Sequence, residues 1–461
     1  MSRRGGPPCP PVVAFPQMGQ GSLPMYNGGA GRSAPLPGAA DARHFQHPSR
    51  RQKAERELPM SNTTTYEVAV VGNGLIGSAA ARYLSATGAK VLAIGPDEPA
   101  NWQEHTGVFA SHYDQGRITR IIDPDSVWSL LGARSIAAYA EIEAASGVRF
   151  HHPVGCLRVS PFYSQPDDTL AQAQDHGTAN GADFAVQPAD ELAAHFPFLR
   201  FAPGSTGLWE QGGAGYINPR SLVQAQLTLA RQQGATIVRE TVTAIRQQGR
   251  VVALTTDAGQ TYTAQKVLIA AGAYTNHLLP RALDLRPRAV SILLAELDEE
   301  EARRLAAMPA LIYRLAGHPI LYSIYALPPI PYPDGKVYLK IGGTLFQPVY
   351  RQGHDELVDW FHGPGNPQET DALKKVLQAL IPGLRARSWQ TRPCVVTYTA
   401  HDHPYIDVLA RDEAGDGQIF VAAGGCGAAA KSSNELGRVA ALLVTEGRWT
   451  YDVPAEVFQA R

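Results

Sequence analysis

Two features that mark other classes of protein are absent from this sequence. Lysine and arginine together number 41 against 42 acidic residues, so the formal net charge is −1 and no basic field favours nucleic acid or anionic lipid. No apolar run approaches the roughly 20 residues that a membrane-spanning helix needs. The longest runs, such as 267–273 and 439–444, suit buried strands or helices. The sequence therefore predicts a protein that binds neither nucleic acid nor a membrane.

Cysteine is scarce and scattered along the chain. No CxxC pair occurs among the four cysteines, which are Cys9, Cys156, Cys394 and Cys426. This spacing argues against a disulfide framework or a zinc site and suits a reducing compartment, so we expect a cytoplasmic protein. The closest histidine pair, His401 and His403, follows a strand into a Pro-containing turn and does not share a helix face. We therefore predict no bound metal.

The first 60 residues differ in composition from the rest of the chain. They are rich in Gly, Pro, Ser and Arg, lack hydrophobic periodicity, and carry too little apolar surface to offset the entropy of ordering. We predict that residues 1–60 are a disordered tail. A second interpretation is that Met60 is the natural start of the protein.

A strand–turn–helix–strand unit begins at Tyr66. The run 68–71 is short, apolar and β-branched, as in buried parallel strands, and 90–94 has the same character. A glycine-rich turn follows the first strand and opens the helix, and its residues are Gly72, Asn73, Gly74, Leu75, Ile76 and Gly77. The first glycine permits a tight turn, the second lets the backbone approach a pyrophosphate, and the third lets helix and strand pack closely. The motif predicts a dinucleotide site at the helix N-terminus, without distinguishing FAD from NAD.

The acidic residue expected at the end of the second strand is missing, because Gly95 stands there. Asp97 or Glu98 lies a few residues further on and could reach the ribose hydroxyls. Either could equally be a solvated loop charge. We take Glu98 as the candidate for the cofactor site.

Later segments predict the rest of the architecture. Residues 222–272 and 418–445 repeat the alternation of strand and helix, whereas 151–205 and 286–389 have alternating patterns and many prolines. We expect an α/β protein with a Rossmann-type domain that is discontinuous in sequence. An α+β, largely antiparallel substrate domain is inserted into it. The predicted segments are 64–150, 206–285 and 390–461 for the first domain, and 151–205 and 286–389 for the second.

Four stretches together resemble the monomeric sarcosine oxidase family of flavoprotein amine oxidases, which has the D-amino-acid oxidase type of fold. They occur in the family's order and at compatible spacing, and they are Asp114–Ile122, Val267–Tyr274, Arg392–Thr399 and Ala422–Ser433. The resemblance extends from about residue 66 to the end. It implies FAD, a two-domain fold and hydride transfer from a substrate carbon to flavin N5. It also implies that O₂ reoxidises the flavin and yields hydrogen peroxide.

The resemblance assigns several residues to the cofactor. Cys394 falls where the family attaches flavin through a thioether, although free cysteine often packs simply as a small buried hydrophobe. Arg117 matches a flavin-facing arginine, and Val242 matches a backbone contact to adenine. The glycines assigned to close approach of the backbone to the flavin are Gly272, Gly424, Gly425 and Gly427.

Four side chains are implied in catalysis or substrate binding. Lys340 matches a lysine above the flavin whose fixed positive charge stabilises developing superoxide; the alternative for it is a solvated lysine on an edge strand. Arg120 and Lys431 match the pair that holds a substrate carboxylate, and Lys431 also belongs to the last flavin-contacting motif. Tyr325 matches a pocket tyrosine.

Two departures from the family pattern concern the substrate. Val396 and Thr344 stand where sarcosine-acting members carry a tyrosine and a histidine, and small alanines occupy 428–430. We therefore expect a larger amino acid, a secondary amine or a cyclic imino acid, oxidised by a monomer or small homo-oligomer that uses O₂. The alternatives are a dehydrogenase of the same fold with another acceptor, and a flavin-binding protein without turnover.

Overall fold

The computed structural model describes residues 65–461 apart from 164 and 167. The predictions of a disordered tail over 1–60 and of an alternative start at Met60 lie outside the described residues. The strands, in chain order, are β1 (Thr65–Val71), β2 (Val91–Ile94), β3 (Arg117–Thr119), β4 (His151–His152), β5 (Cys156–Ser160), β6 (Phe184–Gln187), β7 (Thr206–Glu210), β8 (Gly215–Ile217), β9 (Thr236–Val238), β10 (Val242–Gln248), β11 (Val251–Thr256), β12 (Thr261–Ile269), β13 (Arg286–Leu297), β14 (Ala310–Arg314), β15 (Leu321–Pro331), β16 (Val337–Leu345), β17 (Val349–Tyr350), β18 (Ser388–Tyr398), β19 (Tyr405–Arg411) and β20 (Gly417–Ala423).

Four of the nine α-helices of the described part begin after a residue whose side chain caps the helix, namely Asp125, Asn218, Asp298 and Asn366. The helices are α1 (Leu75–Ser85), α2 (Ser126–Ser146), α3 (Leu170–Ala179), α4 (Ala189–His195), α5 (Pro219–Gln232), α6 (Glu299–Arg304), α7 (His354–His362), α8 (Pro367–Leu380) and α9 (Ala429–Glu446). In α5 the Asn218 side chain accepts from Ser221 N–H and Pro219 occupies the first turn. Helix α5 therefore begins three residues before the predicted Leu222. Short 3₁₀ helices span Gly272–Leu278 and Ala455–Val457.

The first sheet has eight strands with β1 near its centre. The order is β10-β11-β12-β1-β2-β9, and β20 joins β12 with β19 beside it. Strands β12, β1, β2, β9 and β20 pair in parallel, whereas β10–β11–β12 and β19–β20 are antiparallel. Along β1, Val68 and Val70 pack against the helices on one face, while Ala69 and Val71 pack against the β10–β12 meander on the other. Burial on both faces explains the continuous apolar run of β1.

The second sheet has nine strands in the order β17-β13-β16-β15-β14-β5-β7-β6, with β18 paired to β13. Within the described residues its pairs are antiparallel except for β14 with β5. Helix α8 covers one face through a buried apolar row, which consists of Ala372, Leu373, Leu377 and Leu380. A third sheet contains β3, β8 and β4.

This architecture confirms the predicted fold class, a parallel sheet assembled from separate parts of the chain together with a largely antiparallel one. The division into two domains stays a prediction. Two of its boundaries do not follow the sheets, because β7 and β18 belong to the second sheet although 206–285 and 390–461 were assigned with the first. No helix among the described residues is long and apolar enough to cross a membrane.

Helices α1 and α9 pack at close range through Gly437. A Cβ at this position would overlap the Ala79 Cβ and lie 2.6 Å from the Ala80 nitrogen. The glycine therefore lets the two backbones approach, which brings the N-termini of both helices to the same side of the first sheet.

We expect Gly437→Val to lower the free energy of unfolding by at least about 2 kcal/mol, because overpacking a core typically costs roughly 1–3 kcal/mol and here the obstacle includes backbone. Chemical denaturation of the two proteins measures the difference. Thr445→Val introduces the same residue type at an exposed position of α9 and should change the free energy of unfolding by no more than about 0.5 kcal/mol. Equal unfolding of both variants would contradict this account of the helix contact.

Candidate cofactor and active site

A cavity of about 1180 Å³ lies between the first sheet and strands of the second. The carboxyl ends of β1 and β12 open into it, and so do the first residues of α1 and α9. Strands β13, β15, β16 and β18 contribute the opposite wall. Its volume exceeds the roughly 300–1,000 Å³ of ordinary small-molecule pockets, and ligands of open α/β sheets bind outside the carboxyl ends of the strands. Such a position and size suit a dinucleotide together with a substrate.

The three glycines of the first turn differ in their surroundings. Gly72 has φ +108°, and a Cβ there would overlap the carbonyl oxygen of Ala270. A Cβ on Gly77 would overlap the Gly72 carbonyl oxygen. Gly74 differs, since within 4 Å its Cβ would meet, of the described atoms, only His112 Nδ1 at 3.8 Å. Gly72 and Gly77 therefore serve backbone packing, while Gly74 faces the cavity.

The N-terminus of α1 is available to a phosphate. Gly74 occupies the N-cap, and no side chain in the described part of the chain caps the helix. The first N–H groups, including those of Leu75 and Ile76, lack intrahelical partners and form the positive end of the helix dipole. Leu75 and Ile76 both line the cavity. An open glycine next to an uncapped helix end fits the pyrophosphate of FAD.

The missing acid after β2 has a steric explanation. A Cβ on Gly95 would lie 2.6 Å from the Asn73 nitrogen, so the turn leaves no room for a side chain at this position. Asn73 Nδ2 donates to the Gly95 and Val238 carbonyls at 3.2 and 3.4 Å and thereby ties the turn to β2 and β9. The close approach of the turn excludes an aspartate or glutamate at residue 95.

Glu98 does not line the main cavity. Its carboxylate binds Arg220 in a bidentate arrangement, with both N–O distances 2.6 Å. Glu98 and Arg220 border an adjoining pocket of about 370 Å³ that shares Asn73 and His112 with the main one. Asp97 pairs with Arg239 at 3.1 Å. The position of Glu98 therefore does not support the cofactor role that we predicted for it. Its ion pair with Arg220, 122 residues away, could not be inferred from the sequence.

The remaining glycines border the opposite part of the cavity. Gly424 and Gly427 have φ of +88° and +77°, and Gly272 has φ +58°. Helix α9 begins just after this turn, also without a side-chain cap from any described residue. The lining includes Gly272, Gly425, Val242 and Ala428–Ala430. Backbone N–H groups and a helix dipole therefore face the cavity here, which suits a ligand edge that develops negative charge.

Cys394 and Arg117 lie together on the cavity wall. Cys394 is buried on β18, and its Sγ accepts a long contact of 3.8 Å from Arg117 Nη2. Arg392, two residues before Cys394 in sequence, is exposed and lies over the Trp102 ring. Arg117 is thus the guanidinium that the fold brings to Cys394. By contrast, burial raises the pKa of Cys426 to about 11, so this thiol stays protonated.

Lys340 is a buried residue of a central strand. Strand β16 lies between β13 and β15, which rules out the solvated edge position. Lys340 Nζ donates to Asp114 Oδ2 at 2.5 Å and to the Gly116 carbonyl at 2.8 Å. Burial lowers the pKa of Lys340, and the Arg117 guanidinium acts in the same direction. Its ammonium lies behind the cavity wall, 5.6 Å from the Tyr325 ring.

Arg120 and Lys431 come together as the sequence predicts, and both line the cavity. Asp123 holds them, since its Oδ2 lies 2.7 Å from Arg120 Nη2 and 3.3 Å from Lys431 Nζ. Lys431 also donates to the Trp128 carbonyl at 2.5 Å. Sequence reasoning did not identify Asp123; its position three residues after Arg120 was the available signal.

The charges of this cluster follow from burial and mutual attraction. Burial alone would raise the pKa of Asp123, but Lys431 and Arg120 together hold it at about 2. Burial lowers the pKa of Lys431 to about 8, although Asp123 opposes the shift. Two cations and one carboxylate leave a net positive charge near neutral pH. The cluster can therefore hold one anionic group of a ligand.

Tyr325 lines the cavity beside Thr344 and Val396. Gly342 on the adjacent strand makes room for it, since a Cβ there would lie 2.5 Å from the Tyr325 hydroxyl. Burial raises the pKa of Tyr325 to about 12, so the hydroxyl remains a neutral donor. Within the described residues, no group of three or more His, Cys, Asp and Glu side chains could hold a metal ion.

We expect Gly74→Val to fold normally but to lose most of the FAD that the sequence resemblance implies, because its Cβ points into the cavity while the surrounding protein tolerates it. The flavin-to-protein absorbance ratio of the purified variant measures the loss, and the unfolding free energy of the apoprotein should stay within about 1 kcal/mol of the original. Gly77→Val is the matched comparison and should destabilise the apoprotein itself. A yellow, fully loaded Gly74→Val protein would remove the turn from the cofactor site.

Comparison with known proteins gives the same family. The model of the DAO family, described as FAD dependent oxidoreductase, matches residues 67–443. Monomeric sarcosine oxidase from Streptomyces avermitilis is 28% identical over 405 residues, which cover 84% of this chain and 96% of that protein. Among solved structures, the amino acid oxidase NikD superposes with a TM-score of 0.69 at 22% identity, covering 86% of this chain and 98% of that one.

L-proline dehydrogenase from P. horikoshii superposes with a TM-score of 0.64 at 17% identity, covering 86% and 97% of the two chains. The resemblance to the monomeric sarcosine oxidase family is thus confirmed. FAD is confirmed as the cofactor. The chain belongs to the DAO family of FAD dependent oxidoreductases.

Proposed function

We propose that the protein oxidises a C–N bond of a small amino acid, N-alkyl amino acid or cyclic imino acid, with O₂ as the acceptor. The observation that carries this proposal is the Arg120–Asp123–Lys431 cluster, which shares one cavity with the glycine turns that suit FAD. Bound FAD supplies the redox chemistry, in which flavin N5 accepts a hydride from the substrate carbon and O₂ takes the electrons as hydrogen peroxide. The imine product hydrolyses to a carbonyl compound and an amine.

The cluster orients the substrate by its carboxylate. Arg120 offers a planar guanidinium and Lys431 a point charge, a combination suited to a carboxylate. Asp123 restrains both cations, so their positions are set before the ligand arrives. Their positive field also disfavours an ammonium nearby, and hydride loss requires the neutral amine.

The cavity wall supports a substrate larger than sarcosine. Thr344, Val396 and the alanines 428–430 all line it, and the first two replace the bulkier residues that the family pattern led us to expect. Several relatives are named sarcosine oxidases, and the superposing NikD is named an unusual amino acid oxidase. We therefore propose that the substrate is an amino acid that carries a side chain or a ring.

The environment of Lys340 supports a second candidate, a dehydrogenase that passes electrons to another acceptor. A fixed positive charge near the reacting oxygen promotes oxygen reduction, and Lys340 is fixed by two short hydrogen bonds. Its charge is shared with Asp114, however, and its ammonium lies behind the cavity wall. The L-proline dehydrogenase of the same fold shows that this scaffold also carries an enzyme named as a dehydrogenase.

We expect anaerobic addition of an N-methyl amino acid or cyclic imino acid to bleach the flavin of the loaded protein, and oxygen to restore the colour. Lys340→Met should slow reoxidation by O₂ at least about 100-fold, the typical effect of removing one preorganised electrostatic group, with a smaller effect on bleaching. Lys336→Met, at a half-exposed lysine that pairs with Glu296, is the control. Stopped-flow absorbance measures both half-reactions.

Each outcome of that experiment selects one function. Reoxidation by a dye but not by O₂ in the unmodified protein would establish the dehydrogenase. If no compound from a broad panel of amines and amino acids bleached the flavin, the enzyme proposal would fall and a flavin-binding role without turnover would replace it.

We also propose that Cys394 forms a thioether with the 8-methyl carbon of FAD. Bond formation removes the thiol hydrogen and one methyl hydrogen, and O₂ accepts the two electrons released. The Arg117 guanidinium lies beside Sγ, with Nη2 at 3.8 Å. Cys394 lines the cavity, as this bond requires.

We expect yellow colour to remain in the acid-precipitated pellet of the original protein and to leave the pellet of Cys394→Ser. Cys426→Ser, at the other cavity-lining cysteine, should keep the colour in the pellet, because burial keeps that thiol protonated. The absorbance of pellet and supernatant after precipitation is the measurement. A yellow supernatant from the unmodified protein would mean that FAD is bound without a covalent link.

A further inference from the structure

Arg158 brings a third cation to the substrate end of the cavity. It lies on β5, where the flanking Leu157 and Val159 pack into the core beneath the second sheet. Because side chains alternate along a strand, Arg158 projects from the opposite face, and it lines the cavity together with Arg120 and Lys431. The neighbouring strands contribute Ile312 and Leu208 at its level, neither of which can bind a guanidinium.

The guanidinium of Arg158 lacks an acidic partner. Arg120 and Lys431 share Asp123, whereas no carboxylate of the described residues lies within ion-pair distance of Arg158. Its hydrogen bond goes from Nη2 to Thr169 Oγ1 at 3.3 Å. Burial removes hydration from this half-buried cation, and one long hydrogen bond to Thr169 replaces little of it. A ligand anion would replace it.

The nearby acids are engaged elsewhere. Asp168 accepts from Ser160 Oγ at 2.9 Å and pairs with Arg314. Both oxygens of Glu210 accept backbone N–H groups, from Ile121 and Ile122. Burial raises the pKa of the Cys156 thiol to about 12, so this neighbour stays neutral.

Charge at this end of the cavity therefore exceeds what one carboxylate requires. Arg120, Lys431 and Arg158 line it, and Asp123 pairs with the first two. Asp402, the other acid among the described lining residues, lies near Tyr398 and Cys426. Burial and the Arg120 guanidinium lower the pKa of Arg158, while Asp123 and Asp168, both beyond ion-pair distance, oppose the shift without reversing it. A ligand with two negative groups would balance both.

We propose that Arg158 binds a second acidic group of the substrate, so that the preferred substrates are N-alkyl amino dicarboxylic acids. The inference rests on the proposed function, in which Arg120 and Lys431 hold the first carboxylate. Arg158 then acts as a specificity residue: it selects the side chain and takes no part in bond breaking. The small residues Thr344 and Val396 leave space for such a side chain.

The test compares N-methylglutamate with N-methylglutamine, and N-methylaspartate with N-methylasparagine, in both enantiomers. Each acid is similar in size to its amide, so the comparison isolates the charge. We expect the acid to have a kcat/KM at least about tenfold higher than its amide, the effect of one hydrogen bond to a charged group, expressed mainly in KM. Arg158→Leu should abolish the preference by raising the KM of the acids toward that of the amides. Arg158→Lys should restore part of it.

Two controls separate this inference from the proposed function. Arg149→Leu removes an exposed arginine nine residues before Arg158 and should leave the preference for the acids intact. If acid and amide react equally in the original protein, or if Arg158→Leu keeps the preference, Arg158 is structural and the inference fails while the oxidase stands.

A binding measurement covers the case in which no amino acid bleaches the flavin. Glutarate, which cannot be oxidised at a C–N bond, should raise the melting temperature of the FAD-loaded protein more than glutaramate does. Arg158→Leu should remove that difference. An equal shift for both compounds would overturn the second anion site whatever the fate of the proposed reaction.

Discussion

The Asp114 carboxylate accepts a hydrogen bond from Lys340 Nζ at 2.5 Å and another from the Tyr332 hydroxyl at 2.9 Å, and it also pairs with Arg117. Lys340 and Tyr332 belong to the second sheet or its connecting turn, while Arg117 opens β3 of the third. One buried acid therefore joins the parts that surround the cavity. Removing it would leave the buried Lys340 and the half-buried Arg117 without their carboxylate, and breaking a buried ion pair typically costs about 3–5 kcal/mol. The positions of Lys340, Arg117 and, through Arg117, Cys394 depend on this contact.

A second acid repeats the arrangement nine residues later. Asp123 holds Arg120 and Lys431 as Asp114 holds Arg117 and Lys340, and in both cases an arginine three residues away in sequence joins a lysine from a distant element. Each group carries two cations against one carboxylate. A short segment, 114–123, thus provides both acids and places positive charge where FAD and a carboxylate substrate would lie. Arg158 extends the pattern without an acid, and that asymmetry carries the inference about a second anionic group.

Backbone proximity sets the other limit on the site. Gly72, Gly77 and Gly95 are places where any side chain would strike neighbouring backbone, and Gly437 lets α9 approach α1 in the same way. These contacts align the N-termini of two helices with the carboxyl ends of the central strands. The missing acid at residue 95 is one consequence, since the tight turn that serves the phosphates excludes it. The contact of Gly77 with Gly72 is local, whereas Gly72 meets Ala270 and Gly437 meets Ala79, so the tertiary structure is needed to see them.

The α/β class, the glycine-rich turn and the family could be predicted from the sequence alone. Strand periodicity, the spacing of glycines and each short motif are visible in residues that lie close together along the chain. The family resemblance also predicted that Arg120 and Lys431 belong to one site. The ion-pair partners could be read only from the tertiary structure. Glu98 pairs with Arg220 and Asp114 with Lys340, whereas Arg158 pairs with none of the described acids. The residues of these pairs lie 122 and 226 positions apart, and their meeting depends on sheet order. A sequence shows which charges exist, but only the packing of its sheets shows which of them remain for a ligand.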